Sequence, residues 1–214
     1  KRNVASLFSA VAFAIFLLFV NILYFSNNDT AVPTLSNSFD NNYSSEENAY
    51  AKLAIVIDDF GQDRSGVEEM MEIDRHLTFA IMPFLRFSKS DAQTAHKLGH
   101  EVIVHLPMEA NSGKISWVGP KPILSVLSNH EVQQIVMDSF ESVPYAVGAN
   151  IHMGSKASEN EKIMSSILDV IKVKGVYFLD SRTARHPVSK KIATEKGILC
   201  FERDVFLDGK KSKE

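Results

Sequence analysis

The chain has 214 residues, a formal net charge of −3, a pI near 6.2 and one cysteine. That length admits one domain of ordinary size with a short appendage and excludes two full catalytic domains. The lysines are spread along a slightly acidic chain, so there is no basic patch for phosphates and nucleic acid is not an expected partner. Cys200 alone forms no intramolecular disulfide, so it is expected as a buried strand thiol and packing must supply the stability.

In chain order, Lys1 and Arg2 precede an apolar run from Val4 to Phe25 that only Ser6, Ser9 and Asn21 interrupt. About 20 apolar residues in a helix cross a bilayer's hydrocarbon core. The run lacks the short core and small-x-small site of a cleaved leader, so residues 1–25 are expected to be an uncleaved single-pass anchor. No Lys or Arg occurs from Asn3 to Ala51, so the positive-inside rule places the N-terminus in the cytoplasm and everything after the anchor outside the membrane. Residues 26–51, rich in Asn, Ser, Asp and Glu without helical or strand period, read as a flexible linker.

From residue 52 to 214 apolar runs of strand length alternate with amphipathic stretches, the pattern of β-α units around a mainly parallel sheet. Strands are predicted at Leu53–Ile57, Leu77–Ile81, Val102–His105, Ala146–Ile151, Val176–Leu179 and Ile198–Phe201. Helices fit at Gln62–Ile73, Ser88–Leu98, Glu131–Ser142, Glu159–Val173 and Ser189–Lys196, with Gly99, Gly175 and Gly197 where helix ends favour a left-handed residue. The stretch Ala110–Leu127, containing Gly113, Gly119, Pro120 and Pro122, reads as a loop over the edge or mouth of the sheet.

Polar residues that break the core pattern fall where strands are predicted to end: Asp58-Asp59, His105, Glu109, His152, Asp180 and Asp204. In parallel β/α folds such positions converge on one rim. Two adjacent carboxylates in a confined site repel each other unless a cation or proton compensates. One of these aspartates with His105 and His152 makes three protein ligands and leaves open positions, the arrangement of a catalytic metal, while the other aspartate serves as general base. Taken singly, a strand-end histidine or a carboxylate pair is as often structural; their joint placement favours the site. His100 begins the strand that carries His105 and, at about 3.3 Å per residue, lies too far away to share an ion, so it is assigned to structure. His76, His96, His130 and His186 are expected to be solvated or capping.

The strings Ile57-Asp-Asp-Phe-Gly61, Gly99-His-Glu-Val-Ile-Val-His-Leu-Pro-Met-Glu109, Gly148-Ala-Asn-Ile-His-Met-Gly-Ser155, Phe178-Leu-Asp-Ser-Arg-Thr183 and Arg203-Asp-Val-Phe-Leu-Asp208 resemble, in order, the motifs of the divergent polysaccharide deacetylase family. The resemblance implies a distorted (β/α) barrel that removes acetyl groups from a cell-envelope polysaccharide, using zinc or a similar divalent ion. It maps the base to Asp58 and a metal ligand to Asp59. Where related deacetylases carry two histidines four apart this sequence has His105 and Glu109, so His152 is inferred as the remaining ligand and Glu109 as the runner-up. Asp180 is expected to orient a ligand histidine, to bind a sugar hydroxyl, or to cap the turn after it. Family members continue with further β-α units and a Gly-His-Pro motif, and six predicted strands are fewer than the seven or eight of a closed barrel, so an incomplete barrel is expected. The alternatives are a non-catalytic envelope protein that binds glycan or a partner, and, more weakly, a metallophosphoesterase.

Overall fold

The computed structural model describes residues 52–207; the predicted anchor at Val4–Phe25 and the predicted linker lie outside the described residues. Six parallel strands form one sheet: β1 (Val56–Phe60), β2 (Thr78–Ile81), β3 (Glu101–Met108), β4 (Gly148–Met153), β5 (Tyr177–Asp180) and β6 (Cys200–Glu202). Between them run helices α1 (Val67–Met71), α2 (Ser88–Lys97), α3 (Asn129–Ser142), α4 (Glu161–Lys174) and α5 (Ser189–Lys196), with short 3₁₀ turns at Ile115–Trp117 and Ala157–Glu159.

The strands pair in sequence order, β1 to β6, and every pairing is parallel. Parallel β-α-β crossovers are right-handed as a rule, and here all five step the same way along the sheet, so the helices collect on one face and leave the other as an inner wall. This is the winding of a (β/α) barrel, and the sheet is open among the described residues, with β1 and β6 each paired on one side. Among the described residues no helix is long and apolar enough to cross a membrane.

Period-two alternation divides each strand between these faces. Phe79, Ile81, Val102, Val104, Leu106, Met108, Ala149, Ile151 and Phe178 turn toward the helices and pack with Val132 and Val136 of α3, Ile163, Ile167 and Ile171 of α4, and Ile192 of α5. Each of these side chains larger than alanine contributes about 1.5–3 kcal/mol on burial, so this layer carries the stability and leaves the inner wall free for polar chemistry. Local signals set the helix ends: Ser128 and Glu131 form a capping box before α3, the Asn160 side chain accepts from Ile163 N before α4, and Gly175 and Gly197 take left-handed φ of 67° and 68°. Cys200 is buried, and burial pushes its thiol up to about 11.

Three predicted elements differ. The helix expected from Gln62 to Ile73 is confined to Val67–Met71, because the Asp63 carboxylate accepts from the backbone of Arg64 (2.6 Å) and Ser65 (3.2 Å) and Gly66 is left-handed at φ 74°, so a turn replaces the first helical residues. β1 runs on through Asp58 and Asp59 to Phe60. β3 continues past His105 and through Pro107 to Met108. Pro107 reads as a strand stop in sequence, but β2 pairs with β3 only as far as Val104, and Ile123 of the following loop bridges to Met108 with Ile123 N donating to Pro107 O at 2.8 Å.

The histidines assigned to structure behave so. His100 is buried between Met71 O, 2.7 Å from its Nε2, and Leu77 N, which donates to Nδ1 at 3.4 Å. His96 stacks on Tyr145, and His76, His130 and His186 are exposed.

One buried carboxylate ties the helix layer to the start of the site. Asp91 of α2 accepts from Gly61 N at 3.0 Å, directly after β1, and pairs through its other oxygen with Arg64. Gly61 lies at φ 106°, and a Cβ there would stand 3.0 Å from Met82 O, so the turn has a single workable backbone path. Asp91→Ala is expected to lower unfolding stability by about 1–3 kcal/mol, since it strands a buried amide; an unchanged denaturation midpoint at constant m would show that the turn does not depend on this carboxylate.

Candidate metal centre

Adjacent residues of a regular strand point to opposite faces, so Asp58 and Asp59 would not normally share a site. They do here because β1 bulges. Ile57 pairs with Phe79 and Phe60 with Ile81, so β1 holds one residue more than β2 over this stretch. Asp59 absorbs the extra length in the left-handed region, φ 64°, a conformation that aspartate tolerates better than most residues. Both carboxylates therefore reach one imidazole: Asp59 Oδ1 lies 3.2 Å and Asp58 Oδ2 3.7 Å from His105 Nε2.

The histidines come from the neighbouring pair of strands. His105 and His152 do not end β3 and β4 as expected; His105 lies inside β3, and one residue of β4 follows His152. In the parallel register His105 stands beside Asn150 and Pro107 beside His152, so His105, Asn150 and His152 share the inner wall. His105 Nδ1 is 2.7 Å from Asn150 Oδ1 and His152 Nε2 is 3.2 Å from Trp117 O. A carbonyl oxygen only accepts, so His152 donates from Nε2; with the amide oxygen of Asn150 toward it, His105 donates from Nδ1. In the neutral rings the lone pairs then lie on His152 Nδ1 and His105 Nε2, which face each other at 3.1 Å, and Asp59 Oδ1 is 3.0 Å from His152 Nδ1.

Three acceptor atoms thus sit 3.0–3.2 Å apart around one point. Such a cluster repels itself unless a proton or a cation lies between its members. A tetrahedral ion with bonds of about 2.0–2.1 Å holds its ligand atoms roughly 3.3 Å apart, so the donor set fits a divalent ion in both chemistry and spacing. The electrostatics agree. When the imidazoles carry protons on these facing nitrogens instead, their hydrogen bonds hold Asp59 far below the ordinary carboxylate range. Burial disfavours the His152 cation, but its bonds to Asp59 and the Trp117 carbonyl outweigh that and raise it above its ordinary value, so a proton competes for the place an ion would take. The site opens to solvent: the Asp59 side chain is 67 % exposed, whereas His105 is 2 %.

Of the other sequence candidates, Glu109 stays out of this cluster. Its carboxylate receives Ser125 N at 2.7 Å and Lys156 Nζ at 2.8 Å; burial raises it, and these bonds prevail and hold it at about 2. It clamps the loop after β3 to the segment after β4. Asp180 is fully buried on the helix side of β5 with Phe178; its Oδ1 caps the turn by accepting from Arg182 N at 2.7 Å, and its Oδ2 has no partner among the described residues. Asp204 is exposed and not in the cluster. Two contributors escaped the sequence reading. Asn150 was visible only as the first residue of Asn-x-His, where i, i+2 spacing puts both on one strand face. The Trp117 carbonyl carries no side-chain signal at all.

Comparison with known proteins identifies the family. Residues 55–214 match the family described as divergent polysaccharide deacetylase. The chain is 34 % identical over 157 residues to the uncharacterized protein YibQ of Escherichia coli K12, covering 73 % of this chain and 49 % of that one. It is also 34 % identical over 167 residues to an uncharacterized protein of Haemophilus influenzae, covering 78 % and 59 %. The chain therefore spans only about half to three-fifths of the length of these relatives. Among solved structures, an uncharacterized protein from Agrobacterium tumefaciens is similar in fold, with TM-score 0.69 and 20 % identity over 73 % of this chain and 64 % of that one. A lactam utilization protein from Thermus thermophilus is more distant, with TM-score 0.51 and 13 % identity over 77 % and 72 %. The family match over three-quarters of the sequence, with the two curated relatives, means that this chain belongs to the divergent polysaccharide deacetylase family.

Proposed function

We propose that this domain is a metal-dependent hydrolase that removes acetyl groups, from nitrogen or oxygen, on a cell-envelope polysaccharide. The observation that carries the reading is the convergence of Asp59 Oδ1, His105 Nε2 and His152 Nδ1 to 3.0–3.2 Å, with the Asp58 carboxylate beside them. A divalent ion held by these three atoms, zinc or another first-row ion, supplies Lewis-acid polarisation of an acyl carbonyl and acidifies water.

The chain's own residues do the rest. Asn150 and the Trp117 carbonyl keep both imidazoles in the tautomer that offers a lone pair to the centre. Asp58 takes the proton from the attacking water and returns it to the departing sugar nitrogen or oxygen. Its side chain is 45 % exposed, so substrate reaches it without a channel. The apolar run Val4–Phe25 behind Lys1 and Arg2 supports a further part of the proposal, that the domain is tethered on the outer side of a membrane where such polysaccharide lies.

Asp59→Ala, His105→Ala and His152→Ala are each expected to lose bound metal on dialysis, while Asp58→Asn keeps it and releases acetate about 10²-fold more slowly or worse. Metal analysis and acetate release from an acetylated glycan read both effects. If His152→Ala keeps its metal and Glu109→Ala loses it, the ligand set is wrong; full metal content without acetate from any acetylated glycan favours a glycan-binding protein that retains the fold.

Metal uptake is expected to weaken as pH falls through the histidine range. The sign follows from His152, whose raised pKa lets protons begin to displace the ion above pH 6.5, the ordinary histidine value. Uptake independent of pH between 5 and 8, about the span over which histidine titrates, would exclude histidine ligation. For the tether, protease added to cells with a permeabilised outer barrier is expected to remove the domain; survival of the intact chain while an external marker is digested would refute it.

A further inference from the structure

We infer that the indole of Trp117 is a stacking platform for a pyranose ring of the substrate glycan, set beside the candidate metal centre by the same residue's backbone. This rests on the hydrolase reading above and extends it from the reacting acetyl group to the sugar chain that bears it.

Trp117 is the chain's single tryptophan, and the residue is 61 % exposed, although tryptophan is highly buried on average. It closes the 3₁₀ turn Ile115–Trp117, and its carbonyl is the group that receives His152 Nε2 at 3.2 Å. The exposed ring therefore belongs to a residue in contact with a candidate ligand histidine, within the span of a short oligosaccharide from the centre.

The ring is also held in place. Trp117 N donates to Lys114 O at 2.9 Å and Val118 N to Ile115 O at 3.1 Å, and the next side chain, Val118, is buried and anchors the turn. Gly113, at φ 105°, lets the loop backbone pass close under the indole: a Cβ there would lie 3.3 Å from Trp117 Cε3 and 3.4 Å from Cε of Met153, the residue after His152. Lys114 Nζ stands 5.9 Å from the ring centroid. A ring fixed before ligand arrives loses little entropy on binding.

The chemistry selects the ligand class. A pyranose presents a face of weakly positive C–H groups, and an indole presents an electron-rich apolar face of similar size. Stacking of this kind ignores the direction of individual hydroxyls, which suits a polymer of repeated sugars. The neighbouring ammonium of Lys114 adds a donor for hydroxyl or carboxylate groups along the chain.

Because no other tryptophan is present in the sequence, its emission reports this one ring. The 214-residue chain, loaded with metal, is titrated with the β-1,4-linked tetrasaccharide of N-acetylglucosamine. A saturable change in emission is expected. Trp117→Ala is expected to bind the tetrasaccharide roughly tenfold or more weakly by calorimetry, as for a central aromatic anchor, and to raise KM more than it lowers kcat. Trp117→Phe is expected to recover much of the binding. Both variants keep their metal, since His152 contacts the backbone. Tetrasaccharide bound or deacetylated without an emission change, or Trp117→Ala binding as tightly as the native chain, would overturn the inference and leave the hydrolase reading standing. A saturable emission change without acetate release from this or any other N- or O-acetylated glycan would uphold the stacking and sink the hydrolase, and absence of both signals with all of them would overturn both.

Discussion

Parallel pairing of β3 with β4 in one register holds the site together. Setting His105 level with Asn150, and His152 two residues further along the same face, brings two imidazoles to 3.1 Å from strands more than 40 positions apart in sequence. A shift of one residue would turn His152 toward the helices and bring Ile151 to the inner wall. The register is itself held by burial, because Leu106, Met108, Ala149 and Ile151 occupy the helix-facing positions and cannot be exchanged with their polar neighbours without exposing them. Stability and chemistry are thus written on alternate residues of the same strands.

The inner wall then carries an electrostatic conflict that the rest of the fold holds in place. Two lone-pair nitrogens and a carboxylate oxygen in mutual contact are unfavourable by themselves, and each is fixed by a partner that cannot easily turn away: Asn150 on the same strand as His152, a main-chain carbonyl at Trp117, and the bulged backbone of β1 at Asp59. The strain of a left-handed Asp59 persists because the elements around it over-determine it. On one side Asp91 and Arg64 pin the turn that follows, and on the other β2 pairs both before and after the bulge. Glu109 acts similarly for the far side of the rim, joining Lys156 and Ser125 so that the loop carrying Trp117 lies close to β4.

These supports divide the molecule between a buried layer and an open rim. The buried layer under α3 and α4 is continuous, whereas the rim residues Asp58, Asp59 and Trp117 are largely open to solvent.

What the amino-acid sequence determined by itself was the alternation of strand and helix, the helix ends at Gly175 and Gly197, the structural place of His100 and the convergence of Asp59, His105 and His152. All of these follow from local periodicity, from caps within a few residues, or from polar residues interrupting apolar runs, which are short-range physics. The tertiary structure alone decided that β1 bulges so that both aspartates face one way, that β3 continues through Pro107 because Ile123 returns to pair beside it, and that the helix after Gly61 shrinks to five residues. It alone decided that Glu109 spends both oxygens on Lys156 and Ser125, that Asp180 turns to the helix side, and that the carbonyl of Trp117 holds His152. Each of these depends on a partner brought near by the sheet or on a backbone atom that every residue possesses, and neither leaves a mark in the order of side chains along the chain.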